Sequence, residues 1–162
     1  MRFIAPLLAV VSLSLPAATA AQSTGAGDGV RFGISVGGIS AITLDVELFR
    51  DSRSLDFALG TWSFRDVSFS AVAKQYFGSR AAQPFAGLGL WIVGAPGDER
   101  TGWGVVLRAP VGVDWEVTQD HALGAAININ RALGVRRSDP NDEVPLNKRL
   151  VPLPQLYYRY TR

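Results

Sequence analysis

The sequence predicts an all-β chain closed into a single eight-stranded antiparallel up-and-down β-barrel. Three observations lead there. Beyond residue 29 almost every segment alternates apolar and polar side chains with period two, no segment of ten or more residues sustains a helical period, and eight such segments follow one another with turn-forming residues between them.

The first element to justify is one that the fold does not include. Residues 1–20 read as a secretory signal peptide: Arg2 supplies the positive start, Ile4 to Leu15 the apolar run, and Ala18-Thr19-Ala20 the small-residue cleavage site. The apolar run is shorter than the ~20 residues a helix needs to cross a bilayer. Residues 21–29 (AQSTGAGDG) are small and polar, a flexible lead-in, and residues 30–162 form the barrel domain, a length suited to one core.

The predicted strands are 30–38, 41–50, 54–64, 66–77, 84–94, 103–117, 120–131 and 150–160. Most match the ~9–11 residues of a tilted membrane-crossing strand better than the five or six usual in soluble sheets. The two longest connections, 94–102 and 132–149, are both odd-numbered and so lie at one end of the barrel, whereas the even-numbered ones are short. Short turns at the end holding both termini and longer loops opposite are the pattern of barrels that cross an outer membrane.

Each strand has two faces. The second sets Ile42, Leu44, Val46 and Leu48 against Thr43, Asp45 and Glu47, and the sixth sets Val105, Leu107, Val111 and Val113 against Gly104, Arg108, Gly112 and Asp114. Alternation does not say which face points inward, since a soluble barrel buries the apolar set and a membrane barrel turns it toward lipid. The polar face favours the second arrangement. It gathers glycines (Gly33, Gly37, Gly60, Gly87, Gly89, Gly104, Gly112, Gly124) with a balanced set of charges, Arg31, Lys74, Arg108 and Arg159 opposing Asp45, Glu47, Asp56 and Asp114. An eight-stranded lumen holds only side chains, so charges inside it must be paired or hydrogen-bonded. Trp103 and Trp115 share the apolar face of one strand, roughly 30 Å apart along a tilted barrel, and Tyr158 and Tyr160 on the last strand complete a set of interfacial aromatics.

Composition excludes several classes. Without Arg2, fifteen basic residues face fourteen acidic ones, too even a balance for a nucleic-acid binder driven by phosphate charge. No cysteine is present, so there is neither a disulfide framework nor a lipid-modified cysteine.

The stretch Pro84-Phe85-Ala86-Gly87-Leu88-Gly89-Leu90, followed by Ala109-Pro110-Val111-Gly112-Val113-Asp114-Trp115 and Thr118-Gln119-Asp120-His121-Ala122-Leu123, resembles the strand-turn-strand text of generic outer-membrane β-barrel domains. The chain looks like the small eight-stranded barrels typified by the OmpA transmembrane domain and OmpX. That resemblance implies a non-enzymatic outer-membrane protein of structural, adhesive or interaction type, with a lumen plugged by side chains. It covers about a third of the chain beyond the signal peptide, and the ending Tyr160-Thr161-Arg162 departs from the terminal aromatic such barrels carry.

No catalytic, cofactor or metal site is read from the residues. His121 is the only histidine and lies beside a predicted turn, a position suited to a solvated or interfacial ring. Lipid A deacylases of the PagL type resemble the chain in size, but their His-Ser pairing is missing. Gly87-Leu88-Gly89 lacks the third glycine of a dinucleotide fingerprint. The expected partners are outer-membrane lipids, and the expected state is a monomer. The last long loop carries Arg131, Arg136, Arg137, Lys148 and Arg149 at its base around an acidic tip, a cluster suited to lipopolysaccharide phosphates if the loop is external. The competing expectation is a soluble periplasmic barrel of lipocalin-like form, with an apolar ligand held by Trp62, Trp91 and Phe85. A lipid A-modifying enzyme built on His121 is a weaker third reading.

Overall fold

A computed structural model describes residues 28–78, 81–97, 101–139 and 149–162. The expected signal peptide, all but the last two residues of the lead-in, and Lys148 lie outside the described residues. The described chain forms eight strands and no helix: β1 (Gly29–Gly37), β2 (Ser40–Arg50), β3 (Arg53–Thr61), β4 (Val67–Tyr76), β5 (Ala82–Ala95), β6 (Gly102–Glu116), β7 (His121–Arg136) and β8 (Val151–Thr161). Each strand pairs antiparallel with its neighbours in sequence, and β1 pairs with β8 from Arg31–Thr161 to Gly37–Gln155, closing the barrel. Closure gives every strand a neighbour on both sides, although Arg131–Arg136 of β7 pair with β6 alone and Val151–Pro154 of β8 have no ladder partner on β1.

Turn chemistry explains where strands stop. Gly37 and Gly38 both take positive φ, +78° and +73°, which lets β1 reverse into β2 and folds Ile39 completely inside. Asp51 takes a left-handed φ of 54° in the β2–β3 turn, a conformation that aspartate tolerates. At the β3–β4 turn the Asp66 carboxylate accepts hydrogen bonds from the backbone N–H of Trp62 (2.9 Å) and Ser63 (3.0 Å) and from the Ser63 hydroxyl (3.0 Å). This carboxylate cage ends β3 at Thr61, three residues short of the alternating pattern, which runs on to residue 64.

Most other strand ends fall within one or two residues of the sequence reading, and two of the shifts matter. Gly29, placed in the lead-in, already pairs with Phe49. At the far end β7 continues through Arg136, because a bulge opposite Val105 and Val106 absorbs one extra residue and the ladder resumes at Gly134. Arg136 therefore stands on a strand rather than at the base of a loop, and Arg131, expected at the end of its strand, lies within it.

Burial divides the two faces cleanly. Leu44 is 62% exposed and Val111 52%, while Glu47 and Asp114 are at 0% and 1%. The apolar set points outward from the barrel and the charged set inward, opposite to a lipocalin-like arrangement. The three aromatics of that alternative do not share an apolar interior: Phe85 packs in the lumen, Trp91 is half-buried, and Trp62 is exposed on the β3–β4 turn.

Candidate functional site

The lumen is built in two tiers. The tier near the chain ends gathers Arg31, Asp45, Glu47, Asp56, Lys74, Asp114 and Arg159, all buried. Arg159 is its hub. Its guanidinium reaches Asp45 at 3.2 Å, Glu47 at 3.1 Å, Asp114 at 3.2 Å and Asp56 at 3.3 Å, so one cation serves four carboxylates carried by β2, β3 and β6. Lys74 bridges Glu47 (3.2 Å) and Asp56, and Arg31 reaches Asp114 at 3.4 Å. Hydroxyls satisfy much of what remains: Ser54 donates to Glu47 at 2.6 Å, the single Tyr76 hydroxyl proton is shared between Glu47 at 2.8 Å and Asp114 at 3.2 Å, and Tyr157 donates to Asp114. Charges removed from water are tolerated only when paired and hydrogen-bonded in this way.

Aromatic rings pack among these charges. Phe49, Tyr76 and Phe85 follow one another with ring centroids 5.0 and 5.3 Å apart, and Tyr157 meets Phe85 edge-on at 6.5 Å. Cations lie on their faces, Arg31 over Phe49 at 3.9 Å and Arg159 over Tyr157 at 4.2 Å. The sequence reading missed this aromatic layer. Its signal was present, since each ring lies two residues from a lumen-facing charge or glycine: Phe49 from Glu47, Tyr76 from Lys74, Phe85 from Gly87 and Tyr157 from Arg159. The glycines make room for it, because a Cβ on Gly124 would collide with the edge of the Tyr157 ring and one on Gly33 with the Asp45 carboxylate.

Arg108 departs from the expected four-against-four pairing. It sits in a second tier about 10 Å further along the barrel, four residues up β8 from Arg159 by its contact with Gln155. Its partners there are neutral: Nε donates to Asn128 at 2.7 Å, and its terminal nitrogens donate to Ser70 at 2.9 Å and Gln155 at 3.1 Å. Gln155 in turn donates to Ser35 at 2.8 Å. The lower tier thus holds three cations against four carboxylates, and the fourth cation stands apart, held by amide and hydroxyl dipoles.

The exterior is the complement of the lumen. Along all eight strands the outward positions are apolar or small, with Gln75 and Thr61 as neutral exceptions, and charge appears only at the rims. Arg50 and Arg53 mark the rim near the chain ends, and Arg131 and Arg136 mark the opposite one. On β7 the outward series His121, Leu123, Ala125, Ile127, Ile129, Arg131 spans ten residues, roughly 25 Å along a barrel axis at ~40° tilt. Trp103, Trp115, Tyr158 and Tyr160 are all exposed on this surface. His121 lies among the rim aromatics, its Nδ1 2.5 Å from the Tyr158 hydroxyl and its ring 5.4 Å from that of Tyr160. Arg137 and Arg149 flank the β7–β8 connection.

What fold and surfaces define together is a closed, side-chain-filled barrel with its charges inside and its apolar residues outside. Compared with known proteins, the chain matches no family model and no curated protein.

Proposed function

We propose that this chain is a non-enzymatic outer-membrane β-barrel protein of structural or adhesive type, inserted with its chain ends on the periplasmic side. One observation carries the reading: an uninterrupted belt of outward apolar side chains, roughly 25 Å tall, bounded by arginines at both rims. In water such a belt would be an exposed apolar surface far beyond the few hundred Å² a soluble monomer tolerates. In a bilayer it meets hydrocarbon, and the ion pairs lie where lipid cannot reach them.

The filled lumen argues against a diffusion pore, so the functional surface is the rim opposite the termini, with the β7–β8 connection its longest element. Fractionation followed by a heat-modifiability gel tests the reading. The expected result is a membrane-bound band that migrates faster unboiled than boiled. Release by osmotic shock without detergent would overturn it in favour of a periplasmic barrel. Large, stable conductance in planar bilayers would refute the plugged lumen.

A further inference from the structure

The apolar belt is uneven on one side, and two features there coincide. A shallow groove of about 580 Å³ crosses the outer surface of β6, β7, β8 and β1. Ala125 forms its floor, because this small side chain pairs laterally with Val113 and Leu156. Val111, Ile127 and Val36 stand around it, and Trp115 lies toward its periplasmic end. Its volume falls within the ~300–1,000 Å³ of small-molecule sites, and its lining is almost wholly apolar.

Further along the same face of β7, four residues and roughly 10 Å beyond Ile127 along the barrel axis, stands Arg131. It lies opposite Leu107 on β6, and Arg136 lies further up opposite Trp103. Both guanidinium groups are exposed, and neither is ion-paired with a described residue. An outward arginine costs about 2–4 kcal/mol at the middle of a bilayer and close to nothing at the interface. Arg131 therefore suits a position where hydrocarbon gives way to headgroups.

A groove shaped for hydrocarbon that leads up to two exposed guanidinium groups fits one chemistry: an acyl chain below and a phosphate above, which arginine grips bidentately. We infer that the β6–β8 face binds a single lipopolysaccharide molecule, one acyl chain lying over Ala125 and the sugar phosphates held by Arg131 and Arg136. The assignment to lipopolysaccharide rather than phospholipid rests on the outer-membrane reading above, since this rim is opposite the chain ends and so faces the outer leaflet.

The test uses the full barrel purified in detergent and first checked for heat-modifiable mobility. Native mass spectrometry would follow titration with purified lipopolysaccharide, its dephosphorylated form, or phosphatidylglycerol. The expected result is one lipopolysaccharide retained per chain. The double variant Arg131→Gln, Arg136→Gln should weaken it about tenfold or more, and dephosphorylation of the lipid should have the same effect. Ala125→Phe, which fills the groove, should also weaken binding, whereas Leu88→Phe, outside it on β5, should not. Equal binding by the parent and the double variant overturns the inference, as does phosphatidylglycerol binding as tightly as lipopolysaccharide. A barrel that is heat-modifiable yet indifferent to these changes sinks this inference alone. A chain that never enters the membrane fraction sinks the outer-membrane reading and this inference with it.

Discussion

Replacing Arg159 with methionine probes the lumen at its hub. The guanidinium lies within 3.1 to 3.3 Å of four carboxylates and is only 3% exposed, so the variant leaves Asp45, Glu47, Asp56 and Asp114 to share Lys74 and Arg31. Breaking one buried pair by deleting a partner costs about 3–5 kcal/mol, because the remaining charge is left uncompensated. With four acids losing their common cation, the upper end is expected, about 5 kcal/mol. Arg31→Met provides the scale. Arg31 pairs with one described carboxylate, Asp114 at 3.4 Å, and lies over the Phe49 ring; that carboxylate keeps Tyr76, Tyr157 and Arg159, so the expected loss is about 1–2 kcal/mol. Urea unfolding in detergent micelles, followed by circular dichroism and by gel mobility, reads both values. Adding Glu47→Gln to Arg159→Met should recover part of the loss by removing one orphaned charge. Equal losses for the two arginine variants, or a loss below about 1.5 kcal/mol for Arg159→Met, would refute the account of one cation holding four carboxylates.

Three further outcomes are expected. Leu44→Arg, at mid-height on the outer face, should destabilise the membrane-inserted barrel by about 2–4 kcal/mol in a micelle or vesicle unfolding assay; an unchanged midpoint would mean that Leu44 faces water. Gly124→Val should drive its side chain into the Tyr157 ring and lower stability by about 1–3 kcal/mol, with near-ultraviolet circular dichroism reporting disturbed aromatic packing; an unperturbed spectrum would contradict the close contact. At Asp66 partial burial opposes ionisation, but the hydrogen bonds from Trp62 and Ser63 outweigh it and hold the carboxyl below the usual aspartate range. The ionised carboxylate therefore steadies the β3–β4 turn fully above the ordinary value of about 4, and this support fades as pH falls toward the lower folded-state value. Fluorescence anisotropy of a variant retaining only Trp62 should fall over that window, and Asp66→Asn should loosen the turn already at neutral pH. No change in either would dismiss the cage.

The strand count, the two faces and the eight lumen charges could be read from period-two alternation because a closed barrel buries one face of every strand without exception. Asp45 and Glu47 announce the inner face of β2 as plainly as Leu44 and Val46 announce the outer one. What alternation cannot report is height along the barrel, which depends on register between strands distant in sequence. That is why Arg108 was expected among acids and is found among Ser70, Asn128 and Gln155. Aromatics were ambiguous for another reason: Tyr157 and Tyr158 are adjacent and chemically alike, yet one packs beneath Arg159 and the other faces outward beside His121. The bulge that carries β7 past Arg131 left no trace in composition, since it depends on pairing with Val105 and Val106.

The seam between β1 and β8 has a consequence for assembly. Gln155, Tyr157 and Arg159 all arrive on the final strand, bringing a partner for Arg108, a donor for Asp114 and the cation shared by four acids. A sheet of seven strands would present two unpaired edges and a cluster of carboxylates repelling one another across an open trough. Zipping up the last seam removes both penalties in one event. Intermediates short of that event gain little, so insertion of this barrel should be strongly all-or-none, with β8 acting as the keystone.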